Sequence, residues 1–168
     1  DTMADYDAVI ATGSNNSARY FETYFAKVPH IIRKNRNAVA VLSGEETEEE
    51  MRALGNDVFQ YFGLGCRNVS KLYVPEGYDL DPLLHVFHEW KGLQNHTKWK
   101  NNFDYNYPLT TLNKESFHLT GPLMVLEAEA IPSRIGTLHF EYHSDKKALE
   151  EELLAKREEI QLVVTSSD

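Results

Sequence analysis

The chain's single cysteine, Cys66, lies in the stretch Tyr61-Phe62-Gly63-Leu64-Gly65-Cys66-Arg67-Asn68, just ahead of the strand-like run Lys71-Leu72-Tyr73-Val74. A thiol becomes a useful nucleophile when it is partly ionised and reachable. Gly63 and Gly65 favour reach, because glycine adopts backbone angles closed to other residues and lets a substrate approach the main chain. Arg67 places a cation beside the thiol, which favours the thiolate. The same pattern has a second reading. A lone cysteine is commonly a small buried hydrophobe, and from the local pattern alone that reading comes first.

The elements that must position this turn follow from hydrophobic period and punctuation. Asp5 to Ala11 reads as a strand closed by Thr12-Gly13-Ser14, after which Ala18, Phe21, Tyr24 and Phe25 recur at helical spacing. Ser14, Asn15 and Asn16 are good helix-capping types. The free N–H groups of a helix start can hold a phosphate, although an ordinary capped helix is the commoner outcome of such a turn. His30 to Arg33 and Asn37 to Leu42 read as extended, the second apolar enough for the inside of a parallel sheet. Thr47 and Glu50 have capping-box spacing, and the helix they open carries Met51, Leu54, Val58, Phe59 and Phe62 on one stripe, running into the Gly63 to Cys66 turn.

Beyond the turn, Lys71 to Val74 reads as a strand and Asp81-Pro82 as the start of a helix burying Leu83, Phe87, Trp90 and Leu93. His85, His88 and Glu89 share a face of that helix, but no further motif completes a metal site, and no metal is expected. Residues 95 to 120 mix Trp99, Phe103, Tyr105, Tyr107 and Phe117 with Asn and Lys and show no clean period. They read either as a short helix over Asp104 to Asn113, interrupted near Pro108, or as a long loop whose aromatics pack or wall an acyl chain. Leu123 to Leu126 and Gly136 to Tyr142 read as strands, Ser144 or Asp145 as the cap of a helix to about Arg157, and Ile160 to Thr165 as a last strand. This alternation predicts an α/β fold with a mostly parallel sheet flanked by helices.

Composition narrows the function classes. A net charge of −9 over 168 residues opposes a nucleic-acid partner, which needs a concentrated basic surface. One cysteine makes no internal disulfide, and no apolar run reaches the length of a membrane span, so a reducing cytoplasm is the expected location. The chain begins at Asp1 and enters a strand pattern within a few residues, which reads as a piece of a longer protein.

With these motifs in order, the chain resembles the C-terminal half of the aldehyde dehydrogenase superfamily, and specifically the long-chain acyl-CoA reductases of luminous bacteria and their relatives (LuxC-like). Ala11-Thr12-Gly13-Ser14 is similar to the superfamily's Phe-Thr-Gly-Ser turn, which meets the nicotinamide cofactor. Asn37 to Leu42 resembles the strand after its Glu-Leu-Gly-Gly segment. Gly63-Leu64-Gly65-Cys66 resembles the Gly-Gln-x-Cys turn that carries the catalytic thiol, and Thr120-Gly121-Pro122-Leu123 the later Phe-Gly-Pro-Val element. Four motifs in one order reverse the local reading of Cys66 in favour of a nucleophile.

The resemblance implies an aldehyde-dehydrogenase-like catalytic domain over residues 29–168, with residues 1–28 as the tail of a nucleotide-binding domain whose main part is missing from this chain. It implies Cys66 as catalytic thiol, Thr12, Gly13 and Ser14 as cofactor contacts, and Gly63, Gly65 and Arg67 around the substrate turn. The implied reaction is NADPH-dependent reduction of a long-chain acyl-CoA to an aldehyde through a thioester on Cys66. Homo-oligomerisation and acyl-transfer partner proteins belong to the same picture. An Asn of the oxyanion pocket lies upstream of this chain by the same analogy. One departure is chemical: the superfamily's water-activating Glu falls at about Ile32, and no carboxylate lies between Glu22 and Glu45. An enzyme without that base hydrolyses its thioester poorly, which suits reduction. Two other readings stay open: a cysteine thioesterase or acyltransferase pairing Cys66 with His118 or His139 and using no redox cofactor, and a noncatalytic interaction domain with Cys66 buried.

Overall fold

Strands alternate with helices through residues 6–166, which are the residues described by the computed structural model. The chain divides into two units, Asp1–Arg36 and Asn37–Asp168. In the first, β1 (Val9–Thr12) leads through a turn into α1 (Asn15–Tyr24) and back to β2 (His30–Arg33). The two strands pair in parallel from Val9 opposite His30 to Thr12 opposite Arg33. β2 pairs with β1 and so belongs to the first of these units. Ala18 of α1 is fully buried, whereas Tyr24, on the expected apolar stripe, is exposed.

The second unit holds a six-stranded sheet. Its strands are β3 (Asn37–Val41), β4 (Val69–Pro75), β5 (Phe117–Thr120), β6 (Leu123–Glu127), β7 (Thr137–His143) and β8 (Ile160–Thr165). The spatial order is β5-β6-β7-β4-β3-β8, and every pair is parallel except β5 with β6. The expected mostly parallel α/β sheet is therefore present, with β5 as an antiparallel edge strand that the sequence reading did not separate from its surroundings.

One core joins Ala38, Ala40, Leu72, Val74, Leu138 and Phe140 of the sheet to α2 (Glu48–Phe59), α3 (Asp81–Phe87) and Trp99 of α4 (Thr97–Leu112). A second, smaller core joins Val39 and Tyr73 to Leu149 of α5 (Lys146–Ala155), Ile131 and Ile160. Successive strand residues alternate between the two, as the pleat requires. The Thr47–Glu50 capping box forms in full, with the Glu50 carboxylate accepting from the Thr47 backbone N–H at 2.8 Å. Met51, Leu54, Val58 and Phe59 are buried as the stripe predicts, but α2 stops at Phe59 and leaves Phe62 beyond it.

Other local expectations shift by a turn. Asp81 is the first residue of α3 and not its cap, and its N–H donates to the Asp79 carboxylate at 3.0 Å. A 3₁₀ segment, His88–Asn95, follows α3, so Trp90 and Leu93 pack half-buried from a tighter helix than the 3.6-residue stripe assumed. The helix expected over Asp104 to Asn113 begins at Thr97, and Pro108 lies inside it on an exposed face. There the backbone carbonyl that loses its partner can turn to water.

The crossover from β6 to β7 is unusual. Parallel neighbours are ordinarily joined through a helix of a dozen or more residues, but here residues 128–136 make the return as a strap without a helix or strand. A strap has no ladder of its own, so its carbonyls need other donors. Lys71 Nζ donates to Glu129 O at 2.6 Å, His139 Nδ1 to Ala130 O at 2.7 Å and Ser70 Oγ to Ile131 O at 2.7 Å. A register irregularity between Ala38 and Val39, opposite Val69 and Lys71, accommodates one extra β4 residue, Ser70. Lys71 is fully buried and also pairs with Glu141, its ammonium 4.7 Å from the Tyr73 ring centroid.

Two outcomes test this account. Lys71→Ala leaves Glu141 and the Glu129 carbonyl without their cation, and should cost about 3 kcal/mol in urea unfolding, the low end for a broken buried pair. A cost near zero would show that the strap does not depend on Lys71. Acid titration supplies the second. The Thr47 backbone hydrogen bond, then its hydroxyl, holds the Glu50 carboxyl below the usual range. A folded-state value below the unfolded one means that the capping contribution is complete above the ordinary glutamate range and fades as pH falls through the folded value. Glu50→Gln should therefore flatten the acid limb of a stability-versus-pH curve, and an unchanged limb would contradict it.

Candidate active site

The turn that carries Cys66 joins the end of α2 to the start of β4, and its shape begins with three consecutive left-handed residues. Tyr61 and Phe62 have φ of 51° and 59°, and Gly63 follows at 67°. Left-handed backbone is natural for glycine and costly for two aromatics in succession, so surrounding contacts must hold it. Phe62 supplies one, stacking on the His96 ring at a centroid distance of 3.7 Å and 12° between planes. His96 is itself fixed as the cap of α4, its Nδ1 accepting the Trp99 backbone N–H at 3.4 Å. Trp99 is buried, donates its indole N–H to Pro122 O at 2.9 Å, and packs against Phe59, which stacks on Trp90. The polar and aromatic segment after residue 88 is thus the buttress of the turn.

Asn68 closes it. The Gly65 N–H donates to Asn68 Oδ1 at 2.8 Å, while the Asn68 backbone N–H donates to Gly65 O at 3.0 Å. Its Nδ2 donates to Gln60 O at 2.7 Å and Asp57 O at 2.9 Å, reaching back to the end of α2. One buried amide therefore ties the exit of the helix, the turn and the entry of β4 together. Cys66 and Arg67 are the two residues between these clasps, and both are exposed. The reading of Cys66 as a small buried hydrophobe is thereby corrected. Gly65 is needed for space as well as conformation, since a Cβ there would sit 2.8 Å from Asn68 Oδ1.

Not every candidate is brought to this turn. His139 pairs across the sheet with Lys71, and its Nδ1 is spent on the strap. His118 stands on β5 at the sheet edge. Neither is hydrogen-bonded to Cys66. Of the metal-type cluster, Glu89 is engaged by Arg52 at 3.0 Å, and the Arg52 hydrogen bond holds its carboxyl below the usual range. In the first unit, Ser14 caps α1 by accepting the Ser17 N–H at 3.1 Å, and a Cβ on Gly13 would lie 3.0 Å from that of Ser17. Gly13 thus has a packing reason for its identity. Glu22, the carboxylate nearest in sequence before Ile32, pairs with Lys34 at 3.0 Å.

Sequence reasoning found Cys66 and its glycines but missed Asn68 and the His96–Trp99 buttress. No local pattern pointed to Asn68, because its partners Gln60 O and Asp57 O lie well upstream in the chain.

No protein-family model matches the chain, and no curated protein matches it by sequence. Solved structures do match its fold. An aldehyde dehydrogenase from Bacillus cereus, in complex with NAD+, superposes with a TM-score of 0.63 at 10% identity, over 95% of this chain and 44% of that one. A P. syringae AldA indole-3-acetaldehyde dehydrogenase mutant in complex with NAD+ and IAA gives 0.65 at 12% identity with the same coverage. A Bradyrhizobium japonicum proline utilization A (PutA) mutant gives 0.66 at 16% identity, over 96% of this chain and 22% of that one. The fold is that of aldehyde dehydrogenase catalytic domains, and the chain spans less than half the length of these proteins.

Asn68→Ala should lower stability by about 2–4 kcal/mol, because the Gly65 N–H and two carbonyls lose their partner together. Cys66 should be alkylated by iodoacetamide in the native protein without denaturant, as its exposure requires. Labelling that requires denaturant would overturn the exposed placement.

Proposed function

We propose that this chain is the nucleophile-bearing part of an acyl-CoA reductase, reducing a long-chain acyl-CoA to its aldehyde with NADPH through a thioester on Cys66. The observation that carries the reading is the single cysteine held exposed at the tip of a clasped turn ahead of a central strand, in the fold of aldehyde dehydrogenase catalytic domains.

In this reading Cys66 Sγ bonds to the acyl carbon as the carbon–sulfur bond to CoA breaks, and CoA leaves as its thiolate. A bound reduced nicotinamide supplies the hydride. Hydride on the acyl carbon leaves an oxyanion that expels Sγ, so the aldehyde departs and Cys66 returns to thiolate. The one proton consumed ends on CoA. The Cys66 backbone N–H is this chain's donor to the oxyanion, and the fixed turn gives it a defined direction before reaction.

Thr12, Gly13 and Ser14 are the residues of this chain that would meet the cofactor. The turn fits such a role: it opens at a helix N-terminus, whose N–H groups suit an anionic group. The remaining nucleotide contacts, and the Asn that completes the oxyanion pocket, belong to sequence outside this chain in this reading. The stretch from Glu22 to Glu45 offers no carboxylate to activate water, and Glu22 is engaged by Lys34, which supports reduction over hydrolysis.

In the full-length protein, Cys66→Ala should lower NADPH-dependent aldehyde formation from a long-chain acyl-CoA by about a thousand-fold or more. The 168-residue chain alone should give no steady aldehyde. Free acid formed without NADPH would replace this reading with a thioesterase, and aldehyde formation unaffected by Cys66→Ala would remove Cys66 from the chemistry.

A further inference from the structure

The left-handed corner that leads to Cys66 is gripped by a ring from a distant part of the chain. Tyr61 is exposed and has no aromatic partner among the described residues, while its carbonyl accepts the Leu64 N–H at 3.2 Å. The side-chain hold on the two left-handed aromatics therefore falls to Phe62. Half-buried against the larger core, Phe62 lies flat on the His96 imidazole, with 3.7 Å between centroids and 12° between planes.

His96 does two separable jobs with one ring. As the cap of α4 it accepts the Trp99 N–H through Nδ1 at 3.4 Å. An N–H can only donate, so Nδ1 carries no proton and the proton of the neutral ring lies on Nε2. The face of the same ring meets Phe62. Serine, threonine, aspartate and asparagine are the preferred caps, so the cap alone does not call for histidine. Cap and stack together do, because among the side chains only imidazole joins an aromatic face to a ring nitrogen that accepts.

We propose that His96 is a positioning residue for Cys66: its ring, by stacking on Phe62, keeps the 61–63 corner in its left-handed form. That corner spans the gap between Gln60 and Gly65, the two ends that the Asn68 side chain ties together. Without the ring, Tyr61 and Phe62 relax toward the backbone angles that aromatics prefer. The spacing of Gln60 and Gly65 then changes, and the Gly65 bond to Asn68 opens beside the thiol. The consequence for turnover rests on the proposed role of Cys66 as nucleophile, whereas the consequence for the turn does not.

Two substitutions separate the jobs. His96→Asn keeps an acceptor at the cap and removes the ring, and His96→Phe keeps a ring and removes the acceptor. In the full-length protein, amide hydrogen exchange at Gly65 reads the turn and urea unfolding reads the cap. His96→Asn should leave the unfolding midpoint unchanged or higher while Gly65 exchanges about ten-fold faster or more. In the same variant, kcat for aldehyde formation should fall about ten-fold or more with KM for the acyl-CoA little changed. His96→Phe should lower the midpoint and keep Gly65 exchange within about two-fold of the parent. Nitrogen NMR of the parent should show the His96 ring as its Nε2–H tautomer. Gly65 exchange that His96→Asn leaves unchanged overturns the proposal, as does the Nδ1–H tautomer. Exchange that rises alike in both variants also overturns it, since His96 would then act through the cap of α4 alone. A parent protein that makes no aldehyde removes the proposed function and leaves the exchange result to decide the role of His96.

Discussion

The hydrogen bonds of the Asn68 side chain are the interaction on which the rest of the candidate active site depends. A helix ending in left-handed Tyr61, Phe62 and Gly63 has left its regular ladder, and its last carbonyls need donors from elsewhere. Asn68 supplies them at Gln60 and Asp57 while its oxygen takes the Gly65 N–H. A single amide thereby converts a helix exit into a fixed platform for two exposed residues. The clasp on either side of Cys66 holds the backbone from which its thiol and N–H are presented. That combination sets Cys66 apart from a thiol on an untethered loop.

The second constraint comes from aromatic packing. Phe59, Trp90 and Trp99 form one stacked and tilted group beneath the turn, and Phe62 is held above by His96. The apolar stripe of α2 therefore does two jobs: it buries the helix on the sheet and ends at the aromatic that anchors the turn. Gly55 sits where a side chain would collide with the Trp90 ring, so close approach of α2 to the 3₁₀ segment is part of the same arrangement.

How much of this was legible in the sequence follows from the range of each signal. Periodicity and caps are local, and β3, α2, β4, α5 and β8 were readable from them, the capping box of α2 most directly. The Gly-Leu-Gly-Cys turn was also readable because glycine punctuates. The edge strand β5, the early start of α4 and the 3₁₀ segment were not. Their residues answer to tertiary partners: Asn106 donates to Ile135 O, and Trp99 to Pro122 O. Pro108 further masked a helix that tolerates it only because that face meets solvent. The clasp by Asn68 escaped because its partners lie up to eleven residues earlier in the chain, beyond any turn pattern.

The two faces of the sheet show why a fold that tolerates such low identity with its structural neighbours can still be specific in detail. On the face covered by α2 and α3, Ala38, Ala40, Leu72 and Val74 are fully buried and apolar, and any sequence of suitable volume would serve. On the other face the short strap imposes a harder condition. Three successive carbonyls, of Glu129, Ala130 and Ile131, accept side-chain hydrogen bonds, from Lys71, His139 and Ser70, and that of Ile131 is buried. Replacing Ser70 with an apolar residue would leave the buried Ile131 carbonyl unpaired, so this face admits fewer solutions. The extra residue at Ser70 belongs to the same condition, because it lets two consecutive β4 residues, Ser70 and Lys71, both reach the strap. Apolar packing thus carries the architecture shared with the neighbours, while the satisfied polar strap is where this chain's own sequence is most tightly constrained.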